Sequence, residues 1–561
     1  MRTPTIRTLF ACAALAALSS LVACGGDGGP VAAPPSQGGG ENPPPSPPPP
    51  PPPGDFTVSV AADKAVILQG DSVTVTASVE RHNGFAGDVT LALSGLPAGV
   101  SAGEVTIPAG QDSTTLTLSA AATAPHSLPT AASVDGHSGA LAASHGLTVT
   151  VRGLPGAVDT SFAGGRIVTQ VGAGEDYANA VIAQPDGKIL VAGSSAMPGG
   201  TRVSLVRYQR DGGLDESFGL GGKVTTAVGA TSDIASAIAL QDDGKIVVVG
   251  RTDQGNATGT DFAVLRYLPD GTPDAGFGNG GKVVTDFAGH ADVAHAVLVQ
   301  PDGKIVVGGE ATISTSTTGV DFALARYQPD GTLDAGFGNG GKLTTALKSG
   351  SGTDAIYALA LQTVGDTPRL VAVGGEGDFL AARYAMDGTL DAGFGNAGKV
   401  VGTFESSIGA ARGVVVLPQG GLVLAGHMNH DFAFVQLTAA GALDATFGDG
   451  GRRIVAVSAG NWDEATALVR QADGALIAGG WVDVVGSSAD FALVRLGPDG
   501  TLDAGFGTGG IATTAVANGT LSDQSHALVL QADERVPTVR AILAGEANGS
   551  NNDFAVVRYW L

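Results

Sequence analysis

The sequence predicts an all-β protein: a seven-bladed β-propeller, preceded by an immunoglobulin-like β-sandwich and a disordered Pro-rich tether. Three observations carry this prediction. An LDxxFG element recurs, its Asp falling at Asp159, Asp215, Asp274, Asp334, Asp391, Asp444 and Asp503, in steps of 53 to 60 residues. A period that long and regular marks one supersecondary unit per repeat. Each period holds four short runs of strand length and strand composition. Residues 55–152 alternate apolar and polar positions with turns between them, but without that period.

The third copy shows the unit. GKVVTDF (281–287) is rich in β-branched residues, and VAHAVLVQ (293–300) alternates small and apolar ones. A PDG turn leads into KIVVGG (304–309), and after a polar loop comes DFALARY (321–327) with a second PDG. Pro presets φ and Gly accepts positive φ, so these turns suit hairpins. Four antiparallel strands per unit favour sheets standing radially around a channel over a solenoid. The Ala-x-Ala openings at Ala178 and Ala180, Ala235 and Ala237, Ala294 and Ala296, and Ala465 and Ala467 suit a crowded innermost strand. The ends of the array are offset. GRIVTQV (165–171) matches an outermost strand, whereas the chain stops at DFAVVRYWL (553–561), a third strand. Strand 165–171 is therefore expected to complete the seventh blade and cover its open edge.

The stretches LDAGFGNGGK, QPDGKIVV and DFALARY resemble the delta-60 repeat family, bacterial propeller-like repeats of unassigned function. The resemblance covers roughly 155–561. Repeat five departs most: LPQGGLVLAG replaces QPDGKIVVGG, and DFAFVQL lacks the Arg-Tyr pair. The resemblance implies the fold and supplies no catalytic residues.

Toward the N-terminus the chain divides further. Residues 1–23 read as a lipoprotein signal peptide: Arg2 and Arg7, an apolar run from Leu9, then Leu21-Val22-Ala23-Cys24. That tetrapeptide looks like a lipobox, with Cys24 as the lipidated residue; an ordinary signal peptide is the alternative. Gly25, not Asp, follows, so an outer-membrane or cell-surface lipid anchor is expected. Residues 24–54 form a Gly/Pro-rich linker whose NPPPSPPPPPPPG half should run as extended polyproline II. In 55–152, QGDSVTVTASV, GFAGDVTLALSGLPAGVSA and STTLTLSAA resemble bacterial immunoglobulin-like modules. Residues 155–561 are the expected propeller. The chain has 561 residues, 87 Gly, a formal charge of −23 and two Cys. Such acidity argues against nucleic acid or an anionic membrane surface as partner, and two Cys make no disulfide framework.

Three groups of residues are candidates for chemistry. Asp176, Asp233, Asp292, Asp354, Asp463 and Asp523 precede the innermost strands. Asp261, Asp321, Asp378, Asp431, Asp490 and Asp553 open the third strands, so both sets are expected at one mouth of the channel as an acidic rim. The alternative is architectural: Asp at a strand start binds nearby backbone N–H groups. Arg207, Arg266, Arg326, Arg383, Arg495 and Arg558 close the third strands, most of them about eight residues before an LDxxFG Asp, a spacing suited to an architectural ion pair. The third group lies where the repeat breaks: His427 and His430 in GHMNHDF, Trp462, Trp481, Gly409 in place of a rim Asp, and Arg412 in an innermost strand. Trp beside polar groups suits stacking on sugars or gripping a protein; the alternative is a variable loop packed over aromatics. No GxSxG, HExxH, Walker or DxDxDG spacing occurs, so no catalytic residue, cofactor or metal is expected.

These readings lead to a non-enzymatic, monomeric cell-envelope lipoprotein that displays a propeller for protein or glycan binding. Its partners are the membrane through the lipid anchor and a protein or polysaccharide, with no nucleic acid. A polysaccharide-active hydrolase or lyase using the channel mouth is one alternative, and an envelope-assembly scaffold is another.

Overall fold

A computed structural model describes residues 52–561, apart from 256–258, 315–318, 349–352, 403–408, 459–460, 485–488, 518–521 and 534–537. The expected signal 1–23, Cys24 and most of the linker 24–54 lie outside the described residues.

Residues 55–152 fold into two sheets over one core. One joins Asp55–Val60, Ser72–His82, Ser113–Ala120 and Val100–Ala102; the other runs Lys64–Leu68, Leu141–Arg152, Thr130–Ser138, Val89–Ser94 and Val105–Ile107. Alternation decides the faces: in SVTVTASVERH (72–82), Val75, Ala77 and Val79 are buried while Thr74, Thr76 and Glu80 are exposed. Val75, Leu91, Leu116, Val134 and Val149 meet between the sheets.

Seven four-stranded sheets follow among the described residues. Their first strands are Asp176–Ala183, Asp233–Leu240, Asp292–Val299, Ile356–Val364, Gly409–Val416, Asp463–Arg470 and Asp523–Asp533. In the first six sheets the strands are neighbours in sequence order. Second and third strands are buried on both faces, because each sheet stacks on the next. They therefore read as continuous apolar runs such as IVVVG (246–250) and FAVLRY (262–267) rather than alternating ones. Each interface has its own core, as where Val247, Val249 and Val264 meet Ala294, Val307 and Ala323.

The first strand of each sheet touches that of the next, and the seventh touches the first. The outer position of the seventh sheet is taken by Arg166–Thr169, which pairs antiparallel with Asn552–Trp560 from Arg166↔Val557 to Thr169↔Phe554. The side chains follow suit. Tyr267 and Tyr327 donate hydrogen bonds of 2.8 Å to Thr226 and Thr285 on the outer strand of the preceding sheet, and Tyr208 donates the same bond to Thr169.

The third-strand arginines are clasps. Arg207, Arg266, Arg326 and Arg383 each donate through Nε to the LDxxFG Asp, at 2.7 to 2.9 Å. Each lies 4.4 to 4.7 Å over the Phe of the same motif. Each also donates through Nη1 to a turn carbonyl of the following sheet: Pro269, Pro329, Met386 and Ala439. Arg495 pairs with Asp503. Arg558 closes the circle, binding Asp159 at 2.8 Å and the Arg210 carbonyl at 2.8 Å. In repeat five Gln436 replaces the arginine and reaches only Asp444, at 2.9 Å. A planar cation satisfying a carboxylate, a ring and a carbonyl at once explains why Arg, not Lys, stands there.

Candidate functional site

All seven first strands carry a β-bulge at the same place. Register slips between Ala178 and Ala180, Ala235 and Ala237, Ala294 and Ala296, Ile356 and Ala358, Ala411 and Gly413, Ala465 and Ala467, and Ser525 and Ala527. A bulge puts two residues opposite one and re-aims the extra side chain. Opposite each bulge stands a glycine, because the bulged strand's carbonyl comes close: a Cβ at Gly193 would lie 1.8 Å from Tyr177 O, and one at Gly480 1.8 Å from Glu464 O.

The seven re-aimed residues are Asn179, Ser236, His295, Tyr357, Arg412, Thr466 and His526. All line one cavity of about 520 Å³, together with Glu464, Trp481 and Gln524. No two neighbours are alike, although the strands around them are near copies. The cavity is polar on the side of the first, second and seventh sheets and aromatic and charged on the side of the fourth to sixth.

Arg412 and Glu464 form its centre. Arg412 Nε donates to Glu464 Oε1 at 2.9 Å, and the guanidinium stacks over Tyr357 at 3.9 Å. The Tyr357 ring lies 5.0 Å from His295, whose Nε2 is 3.9 Å from Glu310. His427 Nδ1 is 3.3 Å from the same Glu464 oxygen. Burial would raise the Glu464 carboxyl, but the His427 and Arg412 contacts outweigh it and hold the group down at about 2. It is a fixed anion. Across the cavity, His526 Nε2 and Glu546 Oε2 are 2.6 Å apart. Burial alone would lower His526, but Glu546 and Glu464 raise it, with Arg412 opposing.

The cluster continues to the outer face. Met428 and Asp431 pair across a two-residue turn, and Asn429 and His430 both have positive φ, the pattern of a type I′ hairpin. The turn lays His430 flat on Trp462, 4.2 Å between ring centroids and 9° between planes. Trp462 is 38% exposed and 6.1 Å from His427. His430, Trp462, His427, Glu464, Arg412 and Tyr357 are thus one line of contacts from surface to channel.

Of the sequence-predicted residues, Arg412, His427, His430, Trp462 and Trp481 all belong to this patch. Trp481, which the sequence places just after a second strand, is not on a loop. It is half-buried in the strand Leu476–Asp483, opposite Glu464, and lines the cavity. A second correction concerns the acidic rim. Asp176, Asp233, Asp292, Asp354, Asp463 and Asp523 are buried, none more than 2% exposed. Their carboxylates accept backbone N–H groups of the loop arriving from the preceding sheet: Val171 and Gly172 on Asp176, Val228 and Gly229 on Asp233, Val457 and Ser458 on Asp463. They fasten sheet to sheet, as the architectural alternative required. At Gly409 a Cβ would lie 2.8 Å from the His427 backbone carbonyl as well as 2.4 Å from Met428 Cε, so a side chain there requires the strand to shift.

Sequence reasoning missed Glu464 and every bulge residue except Arg412. In four repeats a signal was present, since the bulge residue is the centre of an Ala-x-Ala coupled to a glycine in the following strand; Tyr357 and His526 have no such frame.

A family model described as "Domain of unknown function (DUF5122) beta-propeller" matches residues 184–218, 241–277, 300–337, 370–394 and 471–506. The divergent repeat five lies between the last two matches. The chain is therefore an all-β protein with repeats of the β-propeller type. No curated protein matches the sequence. Among solved structures it is similar to the tail fiber of Staphylococcus aureus phage P68, at 8% identity over 58% of this chain and 50% of that one, TM-score 0.25. A DUF4784 family protein from Bacteroides caccae ATCC 43185 shows 9% identity over 90% and 95%, TM-score 0.22. The surface layer protein SbsC, domains 4–9, shows 10% identity over 90% and 82%, TM-score 0.14. The chain spans half the length of the tail fiber chain it matches.

Proposed function

We propose that this is a cell-envelope lipoprotein that presents a seven-bladed propeller as a glycan receptor. The seven sheets are its blades, and Arg166–Thr169 closes the ring. Residues 55–152 are an immunoglobulin-like spacer, 24–54 the tether, and Cys24 the site of lipidation after cleavage behind residue 23. The protein acts as a monomer at the outer membrane or cell surface.

One observation carries the binding reading: at a position the repeats otherwise copy, six different residue types, His alone occurring twice, converge on one cavity. A position serving only the fold would repeat. The chemistry suits a saccharide. Asn179, Ser236, Thr466 and Gln524 offer neutral hydrogen-bonding groups, and Trp481 and Tyr357 offer ring faces. The Arg412 charge is already matched by Glu464, so the site has no free cation to select a strong anion. The outer pair His430 and Trp462 extends the same surface for a longer chain.

The test is a glycan array, with a pull-down from envelope extract, using the full chain. Trp481→Ala together with Trp462→Ala should weaken capture at least about tenfold, the weight of one or two stacking contacts, without lowering the melting temperature by more than a few degrees. Unchanged capture would remove this cavity from consideration. Cys24→Ala should move the protein from the membrane fraction to the soluble one.

A polysaccharide-active enzyme is the second reading, favoured by His526, whose partners hold it protonated closer to neutral pH, in the same cavity as Tyr357. His526→Ala separates the two readings. It would abolish depolymerisation of a bound polysaccharide if the cavity is catalytic, whereas a receptor releases no new chain ends with either protein.

A further inference from the structure

Three carboxylates meet where the second sheet joins the third. Asp261 opens the strand Thr260–Tyr267, Asp286 follows Lys282–Thr285, and Asp292 opens Asp292–Val299. One oxygen of each lies within 4.8 Å of the others. Asp292 is fully buried and Asp261 is 3% exposed, yet the Oδ1 atom of each has no hydrogen-bond partner. Asp286 is exposed, and the Gly289 N–H at 2.7 Å fixes its carboxylate.

Equivalent junctions are satisfied differently. Oδ1 of Asp176 accepts Gly172 N, that of Asp233 accepts the Thr252 hydroxyl, that of Asp463 the Ser458 hydroxyl and that of Asp523 Asn548 N. In the third sheet Ala311 stands opposite Asp292 where Thr252 stands opposite Asp233, so the hydroxyl is gone. Two other junctions bring in a cation: Arg202 is 3.6 Å from Asp233, and Lys348 is 3.8 Å from Asp354. Here a third acid appears instead. The Lys342 ammonium is spent on the Asp286 backbone carbonyl, at 2.9 Å. Among the described residues none of the three carboxylates has an ion-pair partner.

We propose that Asp261, Asp286 and Asp292 form a calcium site joining the second and third sheets. An all-oxygen, all-anionic donor set selects a hard cation over a transition metal. Two oxygens bound to one calcium at about 2.3–2.6 Å can be at most about 5.2 Å apart, and the three here all lie within that limit. Magnesium demands a tighter octahedron and is the weaker ligand. The exposed side at Asp286 leaves room for water in the remaining positions. The three acids are 25 and 6 residues apart and follow no loop motif, so an expectation of no metal was natural from the sequence.

The test is calorimetric titration of the full chain with calcium chloride and with magnesium chloride after EGTA treatment, alongside thermal melting. Calcium should bind at one site per chain and raise the melting temperature, with magnesium at least about tenfold weaker. Asp286→Asn, an exposed change, should weaken calcium binding at least about tenfold and remove the thermal gain. In EGTA the same variant should melt at or above the wild type, because one of three crowded charges is gone. Absence of heat and of any thermal shift at about 1 mM calcium, the weak end of extracellular sites, would overturn the proposal. So would Asp286→Asn binding calcium as tightly as the wild type. Asp242→Asn, an exposed acid in the turn between Asp233–Leu240 and Ile246–Asp253 and outside the group, should leave both readouts unchanged.

Discussion

The clasp and the channel each draw a residue from one fixed place in the sheets, the end of the third strand and the bulge of the first, and the two places are filled in opposite ways. The clasp repeats: Arg, Asp and Phe meet with nearly one geometry in the first four sheets, and again where Arg558 meets Asp159 and Phe162. The bulge residues scarcely repeat: His alone occurs twice, as His295 and His526, in sheets that are not neighbours. Both regions are polar and partly buried, so burial does not distinguish them. What distinguishes them is the partner. A clasp residue answers to backbone and side chains that every repeat supplies, and one solution serves each time. A bulge residue faces a different set of neighbours across the cavity in each repeat, and nothing in its own repeat dictates it. In a repeat protein, chemistry specific to a ligand belongs at positions that are geometrically repeated and chemically unrepeated.

The comparison can be broken most forcefully at Asp159. It is fully buried and holds Arg540 and Arg558 at 2.8 Å each, across the join of the ring. Asp159→Ala should cost about 3–5 kcal/mol in urea unfolding, because two buried guanidinium groups lose their partner. Asp503→Ala, its counterpart in the sixth sheet with a side chain 30% exposed, should cost about 1 kcal/mol or less. Equal losses would mean that the join is no more demanding than any other junction.

A channel residue should behave otherwise. Glu464→Gln should cost about 2 kcal/mol at pH 7, abolish glycan capture and change the acid side of the stability curve. The folded Glu464 carboxyl is held at about 2, below its ordinary value of 4.5. Its contribution is therefore complete above about pH 4.5 and is lost as pH falls toward 2. Subtracting the variant's urea stability from that of the wild type between pH 5 and 2.5 should isolate that slope; a flat difference would refute the assignment.

A smaller effect sharpens the boundary between the sandwich and the sheets. Trp560 Nε1 and Thr160 N both donate to His126 Nδ1, at 3.1 and 3.2 Å, which requires that nitrogen to be unprotonated. Burial lowers the His126 value, with Asp159 opposing. The contact is thus intact above about pH 6.5 and is lost as pH falls through the lowered folded value. Trp560 fluorescence should change over that range at a cost of about 1 kcal/mol, and His126→Asn should remove the transition.

The smallest expected effect is a gain. Gln436 leaves its buried Oε1 without a partner and makes no link to the next sheet. Gln436→Arg restores the clasp over Phe447 and should add about 0.5–1 kcal/mol. A loss would mean that repeat five has adapted its packing around the amide.

Much of the scaffold was legible because its determinants are local. A PDG turn, an Arg about eight residues ahead of an Asp, and a run apolar on both faces are each read within one repeat. The offset between GRIVTQV at the start and DFAVVRYWL at the end exposed the strand exchange in the same way. His427, His430, Trp462, Trp481 and Arg412 stood out as departures from a pattern, and the structure gathers them. The acids at the strand starts misled for the same reason: their repetition was visible, but the loop N–H groups that bury them belong to the neighbouring sheet.

By itself the sequence determined the period, the strands and the Arg–Asp pair inside each repeat, since residues within one period settle those. Only the tertiary structure decided the cavity and the three-carboxylate group. The bulge that turns Asn179, Tyr357, Arg412 and His526 inward is a backbone register shift, which side-chain pattern alone does not display. Their meeting depends on sheets brought round into contact, so residues hundreds of positions apart become neighbours only when the last sheet reaches the first.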